Sequence, residues 1–455
     1  MERTTIPSLP YEILRKCIRL ATSHPEPLET SFEATLSEEG YDIHPTLYES
    51  IPTKLACSRV SKTFHEITDE FLYEAVILKE HHQARPLARL LASRSFPESR
   101  FMRGEYCRRL DVYVGHGRMW KGEDWAWGSL TLWGLIPPCP NLRILVISPL
   151  RIPPINRSRS TSRYLAIDED ATLWKCIAAT CGPRLLRLDI NYVDIRPSDL
   201  RRLLRACPEL QVALFNGVSE DHNSSPPNYE ERLNTEYRFH TNDIAEYNRA
   251  RITYASWPTR IPGPSLTSLH TIDVTVDDIS KLFADLKFPN LRAANMKRYL
   301  VGPTSFRSPW DLLNETIGGS APSLTHLSLR TQPPQLEPLL TVYPHLVQLT
   351  LYAPEFMGGW HWDDQLPNHT LQTIRIYRQD RGDPSLIARP VQQVLNLKRQ
   401  GVLAALTRVT VLGDCARSRA DGRDFQEWDK EPQRDKFRAL GVTLETGPRY
   451  DRAWS

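Results

Sequence analysis

No window of the chain approaches the roughly 18 uninterrupted apolar residues that a membrane-spanning helix needs, so no membrane partner is expected. Metal-finger spacing is missing as well. The eight cysteines (Cys17, Cys57, Cys107, Cys139, Cys176, Cys181, Cys207 and Cys415) include no Cys-x-x-Cys pair and have no histidines at ligand spacing. Reduced, packed thiols are the expectation, because a free cysteine behaves as a small hydrophobe. Concentrated positive charge is also lacking. Lys and Arg total 57 against 54 Asp and Glu, a formal net charge of +3, which is far from the basic face that binds a phosphate backbone. Nucleic acid is therefore not an expected partner.

Catalytic signatures are absent too. There is no Gly-x-Ser-x-Gly elbow, no Walker loop and no Gly-x-Gly-x-x-Gly after a strand. His65-Glu66 opens like a zinc-protease helix, but Asp69 stands where the second histidine belongs. His361, Asp363, Asp364 and His369 are the one cluster of metal-ligand types, at a spacing that suits no helix face or metal loop. No catalytic residue, metal or cofactor is assigned, and a non-enzymatic chain is expected.

What is present is enough apolar material for a sizeable core: 40% hydrophobic residues over 455 positions, with 24% charged. That length exceeds one ordinary domain unless the domain grows by repetition. Residues 1–14 have neither the basic-then-apolar layout of a signal peptide nor a transit-peptide composition, so a cytoplasmic or nuclear location is expected.

Pro10 suits the first turn of a helix, with Glu12 near the positive end of its dipole. Ile13, Leu14, Cys17, Ile18 and Ala21 then form a single apolar stripe. Further on, Ala56, Val60, Phe64, Ile67 and Phe71 step by four, four, three and four. One helix, or two joined at Thr68, would put all five on one side. Leu9-Pro10-Tyr11-Glu12-Ile13-Leu14, Cys57-Ser58-Arg59-Val60-Ser61-Lys62-Thr63-Phe64 and Phe71-Leu72-Tyr73 together resemble the F-box family. The resemblance implies a three-helix module over residues 1–76 that docks the Skp-type adaptor of a cullin-RING ubiquitin ligase. It carries Leu9, Pro10, Ile13, Leu14, Val60 and Phe64 over as adaptor-binding residues. Residues 23–53 depart from the family, which joins the two halves by a short turn. This insert has seven acidic residues, no Lys or Arg, and four prolines. It reads as a solvated acidic loop with one short helix.

Downstream, a template Pro-x-Leu-x-x-Leu-x-apolar recurs. Its best copies begin at Pro140, Pro183, Pro322 and Pro344, and looser ones at Pro208, Pro264 and Pro289. Proline-free copies occur at Leu371 and Leu406, with a degenerate one at Leu110-Asp111-Val112. Alternation across Leu-x-Leu makes a short strand, and the first leucine anchors the turn into it. Helical stretches over 199–206, 279–286 and 390–398 run into the next copies. The pattern resembles a leucine-rich-repeat protein. The expected fold is therefore an α/β repeat over 77–455, a horseshoe solenoid with insertions at about 216–262 and 354–367. The small all-α module precedes it.

The combined resemblance implies a substrate-recognition adaptor of an SCF-type ligase, with the repeats holding an unknown target protein. Residues flanking the inward leucines are expected on the concave face, where Arg330, Tyr352, Arg375 and Tyr377 come near one another as target-binding candidates. Arg and Tyr are enriched among residues that carry interface energy. Two other readings stay open: a ligase-independent repeat scaffold, and an enzyme whose site these motifs miss.

Overall fold

A computed structural model describes residues 9–22, 28–37, 45–79, 83–94, 100–114, 134–149, 171–218, 249–250, 252–258, 265–276, 286–297, 322–330, 343–352, 370–377, 385–413 and 432–448. Its frame is one twelve-stranded sheet, parallel throughout, in which spatial order equals chain order. The strands are β1 (Ala75–Leu78), β2 (Arg109–Val114), β3 (Ile144–Pro149), β4 (Arg187–Ile195), β5 (Val212–Val218) and β6 (Thr271–Val276). Then follow β7 (Ala293–Lys297), β8 (His326–Arg330), β9 (Gln348–Tyr352), β10 (Thr373–Tyr377), β11 (Arg408–Gly413) and β12 (Thr443–Pro448). The sheet is open, with β1 and β12 at its edges. Parallel neighbours require a crossover between every pair of strands. A sequential, all-parallel order is thus what a stack of like units produces.

The template's chemistry is visible at the entries to β3, β5, β7, β9 and β11. An i to i−3 backbone bond closes a turn just before the anchoring leucine: Leu142 N–H to Cys139 O, Leu210 to Cys207, Leu291 to Phe288, Leu346 to Tyr343 and Leu406 to Leu403. Pro140, Pro208, Pro289 and Pro344 occupy the second position of four of these turns, where a fixed φ is an advantage. Each anchoring leucine is fully buried. Burying one such side chain stabilises by roughly 1.5–3 kcal/mol. Alternate strand residues, such as Leu145 and Ile147 or Leu349 and Leu351, enter one apolar cluster that runs from Val76 to Leu444.

The copy at Pro264 is displaced by three residues. Its strand starts at Thr271, so Leu269 is the anchor and Leu266 takes the turn position, donating from Leu269 N–H to Leu266 O. Edge strands β1 and β12 carry no template copy. The predicted helix at 199–206 is observed at Pro197–Ala206, and that at 390–398 at Ser385–Arg399. Of 279–286 only Leu286 lies among the described residues. Gly401 (φ 80°) and Gly441 (φ 69°) end the helices before β11 and β12 in the left-handed conformation, which glycine adopts without steric penalty.

The N-terminal residues form helices α1 (Tyr11–Thr22), α2 (Phe32–Ser37), α3 (Pro45–Ser58) and α4 (Lys62–Leu72). Ile18, Ile67 and Phe71 make a separate small core, with Leu14 and Phe64 packed on it. The expected single stripe from Ala56 to Phe71 does not form. Arg59 and Val60 turn the chain, and Ser61 caps α4 by accepting from Phe64 N–H at 3.2 Å. Ala56 and Val60 consequently sit on the exposed side, whereas Ile67 and Phe71 are buried.

The insert also differs from a solvated loop. Its described residues fold as α2 and the first turns of α3, and Thr30, Phe32, Thr35 and Ser50 are buried. Part of the insertion expected at 216–262 is packed as well. Residues 216–218 belong to β5, Ala250 is buried, and Tyr254 and Trp257 lie against the main core. The insertion at 354–367, with Trp360 and Trp362, lies outside the described residues. So do His361, Asp363, Asp364 and His369.

Candidate functional site: a helical module and a buried polar row

Helix α1 starts on Pro10, whose carbonyl accepts from Ile13 and Leu14 N–H at 3.0 and 3.1 Å. Leu9 and Ile13 therefore flank the first turn, and both are exposed, as is Pro10. Val60, at the α3–α4 corner, is 64% exposed. Leu14 and Phe64 are half-buried and contribute to the module's core. The six motif residues thus divide into four surface residues (Leu9, Pro10, Ile13 and Val60) and two that also hold the helices together. Tyr11, Leu20 and Leu55 are further exposed apolar residues that the motif comparison passed over. Of the ten large exposed hydrophobic side chains among the described residues, six (Leu9, Tyr11, Ile13, Leu20, Leu55 and Val60) lie in this module. Single exposed apolar residues are ordinary, but their concentration on one small unit makes it the candidate interaction surface.

The last part of the insert, 45–53, begins α3 and packs within the module, whereas its described stretch 28–37 lies elsewhere. That stretch crosses the strand entries of β5–β8: the Thr30 hydroxyl donates to Gln211 Oε1, and Thr30 O contacts His270 Nε2 at 2.9 Å. Phe32 packs edge-on to His270 and His326, with ring centroids 5.8 and 5.4 Å away. The Arg292 guanidinium stands 3.7 Å over its ring and reaches Glu33 Oε1 at 3.5 Å. Phe32→Ala is expected to release this segment, since removing a buried phenyl costs about 3 kcal/mol. Limited proteolysis within 28–37 should then quicken by on the order of 10- to 100-fold. Unchanged cleavage would mean that Phe32 does not hold the segment.

Burial pushes the His326 imidazole down to about 4, with the Arg375 and Arg292 guanidiniums acting in the same direction. His270 is lowered too, mainly by burial. An unfolded histidine takes its proton near pH 6.5, so between about 6.5 and 4 the folded state binds fewer protons. Stability should therefore fall as pH drops through that window, by on the order of 3 kcal/mol from His326. Unfolding midpoints measured from pH 7.5 to 4.5 test this: His326→Gln should flatten the profile, and an identical slope in that variant would refute the assignment.

On the sheet face opposite the leucine core, one register row joins Asp111, Val146, Asp189, Leu214, Asp273, Asn295, Ser328, Thr350, Arg375, Thr410 and Glu445. This face is not the solvated surface that alternation alone suggests. Asp111, Asp189, Asp273, Asn295, Ser328 and Thr350 are all buried. Arg109 grips Asp111 with two bonds of 2.8 and 3.0 Å, and Arg187 grips Asp189 at 2.7 Å. Asn295 Nδ2 donates to Asp273 Oδ2 at 2.9 Å. Asn295 Oδ1, Ser328 Oγ and Thr350 Oγ1 have no hydrogen-bond partner among the described residues.

Of the target-binding candidates, Arg375 lies in this row, half-buried, between Thr350 and Thr410. Arg330, Tyr352 and Tyr377 end their strands, with Tyr352 in register with Tyr377. The side chains of those three lie outside the described set. The expected packed thiols are found at Cys107, Cys139, Cys176, Cys181 and Cys207, whereas Cys17 is exposed and Cys57 half-buried. Among the described residues no group of three or more His, Cys, Asp or Glu is placed to hold a metal, and no helix is long and apolar enough to cross a membrane. His65 Nδ1 contacts Ser58 O at 3.2 Å, and Asp69 pairs with Arg103 at 3.1 Å, so the residues of the zinc-protease-like run have structural partners. Compared with known proteins, the chain matches no family model and no curated protein.

Proposed function

We propose that the chain is a substrate-recognition adaptor of a cullin-RING ubiquitin ligase. In this reading helices α1–α4 are an F-box module, and the sheet that begins at Ala75 is a leucine-rich-repeat-like horseshoe that holds a target protein. The chain itself performs no catalysis, and transfer of ubiquitin belongs to the ligase it joins. The observation that carries the reading is the exposure of Leu9, Pro10, Ile13 and Val60, four of the residues through which the F-box motif implies contact with a Skp-type adaptor. A second observation supports it. Residues 28–37 of the insert are secured at the entries of β5–β8, and these four residues are exposed.

The experiment is co-expression of the tagged full chain with a Skp-type adaptor and its cullin, followed by affinity capture. Stoichiometric co-elution of both is expected from the intact chain. Recovery of the chain alone, folded and monodisperse, would refute the proposal and favour a ligase-independent scaffold.

A further inference from the structure

Between the helical module and the first strands lies a cavity of about 650 Å³ with an unusual charge balance. Five cations and two carboxylates line it. Both carboxylates are committed: Glu70 accepts from Arg15 Nε at 2.9 Å, and Glu74 pairs with Arg19. The remaining cations, Lys16, Arg108 and Arg143, have no carboxylate partner among the described residues.

The fold places two of these side by side. Arg108 and Arg143 immediately precede β2 and β3, and consecutive backbone bonds join Glu74, Arg108 and Arg143: Arg108 N–H donates to Glu74 O and Arg143 N–H to Arg108 O, each at 2.8 Å. Parallel neighbours stand about 4.8 Å apart, and like charges facing each other across strands are destabilising. Helix α1 adds Lys16 from the opposite wall, beside Arg15 and Arg19. The Arg15 and Arg19 guanidiniums are steadied over the Phe71 ring at 5.9 and 5.0 Å. Nearby Lys54 is buried and held below the ordinary lysine range by that burial, with Arg19 adding to the effect and Glu74 opposing it. Neighbouring cations of this kind are relieved by an anion of more than one charge.

We propose that this cavity binds a compact, multiply charged phosphate anion between helix α1 and the entries of β2 and β3. Guanidinium forks match phosphate oxygens in pairs, and such charge-assisted bonds are about twice as strong as neutral ones. The cavity's volume is that of a small-molecule site rather than an extended groove. A bound anion would tie α1 to the start of the sheet.

The test uses the full chain with inorganic pyrophosphate as the probe. A ligand that binds only the folded state raises the unfolding midpoint in a saturable way. Saturable stabilisation at submillimolar pyrophosphate is expected. The affinity should fall at least tenfold in Arg108→Gln/Arg143→Gln and stay unchanged in Arg438→Gln on the far surface. Should the double variant fail to fold, the exposed Lys16→Gln variant is expected to weaken binding at least threefold. A midpoint that does not saturate, a shift reproduced by sodium chloride at equal ionic strength, or parental affinity in a folded Arg108→Gln/Arg143→Gln or Lys16→Gln variant would overturn the proposal.

Discussion

Asp111→Ala is expected to destabilise the protein by about 3–5 kcal/mol at pH 7, because it strips a buried guanidinium of its carboxylate. Asp111 is completely buried and Arg109 nearly so, and the two are joined by two hydrogen bonds. Burial raises the Asp111 carboxyl above the usual carboxylate range, and Arg109 is the largest opposing influence. The ionised pair is therefore held by geometry against a desolvation penalty, and neither member is tolerated alone. Replacing both, as in Arg109→Leu/Asp111→Val, should recover most of the loss, since an apolar pair of similar volume does not carry that penalty. Denaturant unfolding of the two variants decides the matter. A single variant within about 1 kcal/mol of the parent would show that water or another group reaches Arg109. Asp189→Ala, in the equivalent pair on β4, should behave alike.

Val60→Asp is expected to weaken adaptor binding at least 100-fold, about 2.7 kcal/mol, while leaving the fold intact. Val60 stands at the corner after α3, largely in solvent, so a carboxylate there disturbs no packing in the free chain. In an apolar interface the same carboxylate would be buried without a partner, which is strongly unfavourable. Phe64→Ala should differ in kind. Its ring packs on Ile18, Ile67 and Phe71, so the change should lower stability as well as docking. Comparing thermal midpoints with affinities separates a surface residue from one that shapes the module.

The strands with strong anchors were legible in the sequence. Leu142-x-x-Leu145-x-Ile147 and Leu346-x-x-Leu349-x-Leu351 announce β3 and β9, because burial selects large apolar residues at every second position. At β6 two prospective anchors, Leu266 and Leu269, lie three residues apart, and proline was the misleading cue. Only the turn that Leu269 closes onto Leu266 distinguishes them. Strand β1 escaped notice because Ala75 and Val76 fall within residues 1–76, which the resemblance implies to be helical, while the α4 cap at Tyr73 ends the helix first. At β12 a single leucine, Leu444, faces the core, and the stronger cue is the Gly441 turn before it.

The insert concealed its structure behind its charge. Phe32 lies in an acidic stretch, and the residues that receive it, His270, Arg292 and His326, are more than 230 positions away. Pro52, which composition reads as a breaker, sits inside α3. Which motif residues face outward was likewise illegible, because it depends on how α1 crosses α4 and on the Ser61 cap.

The proposed docking is tested most directly by titrating a purified Skp-type adaptor into the full chain and into its Val60→Asp variant, with both proteins shown to unfold at the same temperature. Saturable binding at micromolar or lower concentration to the parent chain, and at least 100-fold weaker binding to the variant, is the expected result. No measurable binding to the parent chain, or equal binding to both, would contradict the assignment of these helices as an adaptor-docking module.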